Sequence, residues 1–187
     1  MANQPRYEPL EASEAFSDGL SSRSPVPGTI ARGELQLDEA YFTGKVNGEA
    51  VGELPNRVLE DRTMDELLSR GHERFTIFCS HCHGQVGGGI GGAKELESLV
   101  GMVVERGFPS PPTYHQDRLR QAPIGHFFDV ISNGFGRMPA HRTLIPPEDR
   151  WAIAAYIRAL QLSQLARRDQ LTATDLERLN AAATDQP

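Results

Sequence analysis

The spacing of apolar residues predicts helices in the second half of the chain. Apolar side chains share one helical face over residues 96–104, and Gly107 follows as a residue that can end the helix. The same spacing recurs over residues 124–131, where Gly134 follows. Both stretches therefore predict amphipathic helices that pack on a common core.

A longer helix is predicted near the end of the chain and two shorter ones before the middle. Pro147 is a favourable first residue, acidic residues follow it in the first turn, and the apolar pattern continues to residue 162. Short apolar groups predict helical segments at residues 64–68 and 73–80. The compact part, residues 61–164, is thus predicted to be all-α, and residues 165–187 form a polar C-terminal tail.

The first third of the chain has a different character. Residues 1–60 contain five prolines and show no sustained periodicity, with short strands possible at 34–37 or 39–42 and turns at 43–48. They carry 10 acidic and 5 basic side chains. We expect a long, largely irregular N-terminal extension that lies on a surface and adds little to the stability of the compact part.

Charge and hydropathy narrow the class of protein. The net charge is −6, so the chain lacks the basic surface that nucleic-acid binding requires. The longest apolar run, residues 151–157, is interrupted by Arg158 and is far shorter than the roughly 18 residues of a membrane helix.

The two cysteines lie in a motif that carries chemistry. Cys79-Ser80-His81-Cys82-His83 is the pattern of c-type haem attachment, in which two thiols bond one porphyrin and His83 ligates its iron. One helical turn brings the two sulfurs to the same side. The alternatives are a thioredoxin-like redox pair, which favours a preceding strand and a long following helix, and a partial zinc site.

An electron-carrying haem iron needs a sixth ligand. We favour Met138, because it lies in an irregular loop, residues 134–139, where a methionine is unusual as core packing. The other candidates are Met64, Met102, His72, His115, His126 and His141. The second ring nitrogen of His83 is expected to bond a backbone carbonyl of residues 110–112.

Residues 71–164 resemble class I cytochrome c, with an aromatic-bearing helix that leads into Cys79–His83, a glycine-rich loop, Met138-Pro139 and a final helix. Further motifs resemble the monohaem cytochrome c subunit of the bacterial alternative complex III over roughly residues 5–165. They are RYEPL at residues 6–10, VPGTIARG at 26–33, RGF at 106–108 with PP at 111–112, GHFFDVI at 125–131, DRWAI at 149–153 and RALQ at 158–161.

The resemblance implies an electron-transfer subunit, not an enzyme by itself, with one covalent haem c. It implies a membrane-bound quinol-oxidising respiratory complex that passes electrons to a periplasmic acceptor or terminal oxidase. The implied partners are a multihaem cytochrome, an iron–sulfur subunit and integral membrane quinol-binding subunits, and no nucleic acid is expected among them.

The sequence departs from that family in two respects. Residues 93–100 are interposed after the glycine-rich loop, and no N-terminal cysteine is present for the lipid anchor common in the family.

Covalent haem attachment implies the periplasmic side of the bacterial cytoplasmic membrane. Residues 1–10 lack leader features, so we expect a removed leader and either indirect membrane contact or a missing lipid anchor. The alternatives are a free-standing periplasmic cytochrome c shuttle and a haem protein that binds a gas or peroxide at an open iron.

Overall fold

The computed structural model describes residues 4–32, 35–89, 106–107, 109, 111–165 and 171–177. It divides the chain into two compact units, Met1–Leu37 and Asp38–Pro187. The described residues of the first unit form turns and one isolated bridge, between Ala12 and Leu20, with no helix or strand among them. Within this unit the Arg23 guanidinium donates to the Asp18 carboxylate at 2.7 Å.

The second unit begins with a short helix and a hairpin. Helix α1 spans Glu39–Thr43 and is capped by the Asp38 carboxylate, which accepts a hydrogen bond from the backbone N–H of Tyr41. Strands β1 (Lys45–Val46) and β2 (Glu49–Ala50) then pair antiparallel, and a 3₁₀ turn covers Asn56–Leu59. The strand predicted at residues 39–42 is therefore wrong, and β1 lies within the predicted turn.

Residues 38–60 are part of the compact unit, which corrects the arm boundary predicted at residue 60. Tyr41 and Val58 are buried in its core. The indole N–H of Trp151 donates to the backbone carbonyl of Tyr41 at 2.8 Å, and the N–H of Gly125 donates to Val51 O at 2.9 Å. These long-range hydrogen bonds attach residues 38–60, whose sequence resembles that of a loop, to the rest of the compact unit.

Helix α2 spans Met64–Phe78 and is followed by the short helix α3, Ser80–His83. It replaces the two segments predicted at 64–68 and 73–80. Thr63 and Glu66 form a reciprocal capping box at its start. Gly71 lies inside this helix, at a close approach to the helix that bears Ala152, where a Cβ would lie only 2.2 Å from Ala152 O.

Further along the chain lie helices α4 (Asp117–Gln121), α5 (Ile124–Asn133) and α6 (Pro147–Leu165). The last two confirm the predictions made from apolar spacing. Helices α2 and α6 pack against each other, and Arg70 joins them through a bidentate pair with the buried Asp149 at 2.7 and 3.0 Å. The Phe128 and Trp151 rings stack at 4.4 Å in the core.

The described part of the second unit is thus mainly helical with one small hairpin, in place of the purely all-α prediction, and agrees with a cytochrome c-like fold. The helix predicted at 96–104, the interposed segment 93–100 and most of the tail 165–187 lie outside the described residues. No helix in the described part of the chain is both long and apolar enough to cross a membrane.

Candidate functional site

The two cysteines and His83 lie on a single tight turn. Cys79 ends α2, with its N–H donating to Phe75 O at 2.8 Å. The backbone carbonyl of Cys79 then accepts from the N–H groups of Cys82 at 3.1 Å and His83 at 2.9 Å. Gly84 ends this turn with φ 76°, a value that favours glycine. The local backbone therefore holds both thiols and the imidazole together.

This turn forms one wall of a cavity of about 460 Å³. Cys79, Cys82, His83 and Met138, the four residues predicted from the sequence, all line it. Most of the other lining side chains are apolar or aromatic: Phe78, Pro109, Pro111, Pro112, Tyr114, Leu119, Phe127, Val130, Ile131, Phe135, Pro139, Ile145 and Ile157. The cavity therefore combines two thiols, an imidazole and a thioether within an apolar enclosure.

Met138 is held in the cavity wall by a closed loop. The backbones of Phe135 and Met138 exchange two hydrogen bonds, at 3.1 and 3.0 Å. Gly134 has φ 78°, and a Cβ there would lie 2.4 Å from Met138 O. The N–H of His141 anchors the far side of the loop to Ile131 O at 2.9 Å. The half-buried Met138 is thus fixed in place by backbone bonds.

The cavity narrows the set of candidate sixth ligands. His126 and His141 also line it, whereas Met64, His72 and His115 do not. A ring nitrogen of His115 bonds Val86 O at 2.8 Å instead. Met102 lies outside the described residues.

Burial shifts the pKa values of His83 and of the two cysteines on this turn. Burial, with smaller contributions from His81 and His141, lowers the pKa of His83 to about 4, so its imidazole is neutral near pH 7 and has a lone pair for a metal. Burial and, second, the neighbouring Cys82 raise the pKa of the Cys79 thiol to about 12. Burial also raises the pKa of Cys82.

These thiols do not match the two alternatives drawn from the motif. A reactive redox pair depends on a thiolate that is favoured by a lowered pKa, whereas burial raises the pKa of both thiols here. In the part of the chain that the structure describes, no three or more histidine, cysteine or acidic side chains form a metal-binding group. The motif also follows a helix, α2, where a thioredoxin-like pair favours a strand.

The cavity also fits the charge of a haem. Arg106, Arg118 and Arg137 line it, and no carboxylate occurs among its described lining residues. A haem carries two propionate carboxylates, which arginines bind well. No local sequence pattern indicates this role for these arginines.

His83 has an aromatic neighbour, Tyr114, that no sequence motif indicates. The Tyr114 ring stacks on the imidazole with 4.7 Å between ring centroids and 16° between ring planes. The buried Nδ1 of His83 has no hydrogen-bond partner among the described residues, so the predicted bond to a carbonyl of residues 110–112 is not observed. Ser110 lies outside the described residues.

A comparison with known protein families agrees with this geometry. Residues 66–157 match the family described as cytochrome C oxidase, cbb3-type, subunit III. No curated protein matches the chain significantly. The matched stretch includes Cys79, Cys82, His83 and Met138. Residues 66–157 are therefore a cytochrome c-type electron-transfer domain, which implies covalently bound haem c.

Proposed function

We propose that this chain carries one haem c, attached through Cys79 and Cys82 and ligated by His83 and Met138, and that it relays single electrons. The observation that carries the proposal is the single cavity lined by all four of these residues. Haem c held by these four residues would supply a one-electron couple, with His83 and Met138 as the residues that would ligate its iron. Two protein ligands would favour electron transfer over binding of a gas or peroxide.

The chain's own residues support this role in distinct ways. The apolar lining excludes water, which favours a raised reduction potential. The low pKa of His83 keeps the imidazole available as a ligand across neutral pH. Arg118 and Arg137 are exposed at the cavity, where they are suited to bind the propionates.

We further propose that the protein works as a subunit of a membrane-bound quinol-oxidising complex of the alternative complex III type, on the periplasmic side of the cytoplasmic membrane. The resemblance carried by the motifs at residues 6–10, 26–33, 125–131 and 149–153 supports this assignment. In the first unit, large apolar side chains are strongly exposed, among them Tyr7 at 56%, Leu10 at 87% and Ile30 at 61%. Such residues suit burial against partner subunits. The matched family is itself described as an oxidase subunit.

The test is purification of the native protein in mild detergent, followed by identification of the proteins that accompany it. We expect integral membrane subunits, an iron–sulfur subunit and a multihaem cytochrome in fixed ratio. A matched variant lacking residues 1–37 should keep the haem spectrum of the full chain but lose these partners. A full-length protein that purifies alone would instead support the free-standing periplasmic shuttle and refute the complex.

Quinol oxidation separates a relay from a quinol site. The isolated subunit should be reduced slowly by a quinol, because the described part of the chain has no helix able to cross a membrane and hold a lipophilic quinol there. Direct reduction at the rate of the assembled complex would overturn the relay role.

A further inference from the structure

We infer that Tyr114 is a positioning residue that fixes the ring plane of His83, and this inference rests on the proposed ligation by His83. The two rings are nearly parallel, with 16° between their planes and 4.7 Å between their centroids. Offset stacking at this separation is favourable for aromatic pairs. Because stacking allows an imidazole to slide but not to tilt, Tyr114 restrains the ring orientation of His83.

Tyr114 is itself held from both sides. Its backbone N–H donates to Gly87 O at 2.9 Å, which ties it to the loop after the Cys79–His83 turn. Its carbonyl accepts from the Gln161 side-chain amide at 2.8 Å, in a buried bond to α6. The tyrosine therefore bridges the turn that bears His83 and the last helix.

The Tyr114 ring is also confined by packing. Phe75 and Phe127 contact it edge-on, each with centroids 6.2 Å away. Gly87 also lies against the ring, so closely that a Cβ there would be only 2.5 Å from Tyr114 Cδ2. Since neither the ring nor its backbone can shift freely, the stacked face offered to His83 is rigid.

Stacking restrains the plane of the imidazole ring without a hydrogen bond. Metal-ligating histidines are normally also oriented by a hydrogen bond from the second ring nitrogen. The Tyr114 ring acts on a different degree of freedom, because it lies nearly parallel to the imidazole and so opposes tilting of its plane. The orientation of a ligating imidazole would influence the electron paramagnetic resonance of the ferric haem protein, so the restraint is open to measurement.

The test compares three variants of the full-length haem protein. Tyr114→Phe keeps the ring, and Tyr114→Leu removes it. Tyr156→Leu is the matched control, since Tyr156 also packs on Phe75, at 5.4 Å, but does not line the cavity. The readout is the largest g value of the ferric low-spin signal, with the charge-transfer band of methionine ligation recorded alongside.

We expect Tyr114→Phe and Tyr156→Leu to keep the g values of the unmodified protein. Tyr114→Leu should shift or broaden the largest g value while the methionine band persists. Unchanged g values in Tyr114→Leu would overturn the positioning role and leave the proposed function intact. An unmodified protein without a low-spin haem ligated by His83 would instead refute the proposed function itself.

A second measurement covers the case in which Tyr114→Leu fails to fold. In the ferrous unmodified protein, the ring protons of Tyr114 and His83 should show a nuclear Overhauser effect, as expected for rings 4.7 Å apart. Absence of that effect, with both rings assigned, would overturn the inference.

Discussion

Two truncations with different end points test where the stable unit begins. One variant lacks residues 1–37 and the other lacks residues 1–53. They differ by residues 38–53, which include α1 and the β1–β2 hairpin. Because the compact unit begins at Asp38, we expect the first truncation to leave unfolding nearly unchanged and the second to destabilise the protein strongly.

The size of the second effect follows from three lost interactions. Removing the buried Tyr41 side chain forfeits about 1.5–3 kcal/mol of apolar burial. The buried N–H groups of Trp151 and Gly125 also lose their acceptors, Tyr41 O and Val51 O, each at about 1–3 kcal/mol. Since water can reach part of the exposed surface, we expect a total of roughly 3–7 kcal/mol. This is a large share of the roughly 5–15 kcal/mol typical of a domain.

The assay is thermal unfolding of the haem-loaded variants, followed by circular dichroism. For a unit of this size the predicted loss lowers Tm by roughly 10–25 °C. Trp151→Phe, made in the full chain and in the chain that lacks residues 1–53, provides a control. Removing the indole N–H should lower the free energy of unfolding less in the truncated chain, where its acceptor is already absent. Equal Tm values for the two truncations would refute the reasoning, as would a large loss from deleting residues 1–37 alone.

Two further substitutions test the packing of the same unit. Gly125→Ala should destabilise the unit by about 1–3 kcal/mol, because the new Cβ would lie 2.1 Å from Gly44 O. The matched Gly52→Ala places a Cβ with nothing within 4 Å and should have little effect in urea unfolding. Equal effects of the two substitutions would contradict the account. Thr63→Ala should lower the free energy of unfolding by about 1 kcal/mol through loss of the α2 capping box. Unfolding at the original urea midpoint in Thr63→Ser would attribute that loss to the cap. An unchanged urea midpoint in Thr63→Ala would show that the cap adds nothing to stability.

Local pattern predicted the long helices but not the start of the compact unit. Helices α5 and α6 have apolar stripes long enough to show the helical period, and residues that begin or end helices flank them. The five residues of α1 are too few to show a period, and a cap from Asp38 and burial of Tyr41 decide their conformation. The bonds that join residues 38–60 to α5 and α6 connect distant parts of the chain, so no local pattern indicates them.

The same distinction applies to the site. Cys79, Cys82 and His83 are neighbours in sequence, so their spacing alone predicts haem attachment. Met138 could be selected because its loop context is unusual for a core methionine, and it lines the same cavity. Tyr114 could not be predicted, because it has no motif and meets His83 only when residues 111–116 fold against the turn. The cavity arginines follow from tertiary structure for the same reason.

The central claim is that one covalently bound haem is ligated by His83 and Met138, and substitution of the methionine tests it most directly. The ferric charge-transfer band of methionine ligation is recorded for the unmodified protein, Met138→Ala and the control Met64→Ala, whose methionine lies at the start of α2 and does not line the cavity. We predict a covalent haem c in all three proteins, with the band present in the unmodified protein and in Met64→Ala and lost only in Met138→Ala. A band that persists in Met138→Ala, or a haem that can be extracted from the unmodified protein, would contradict the account.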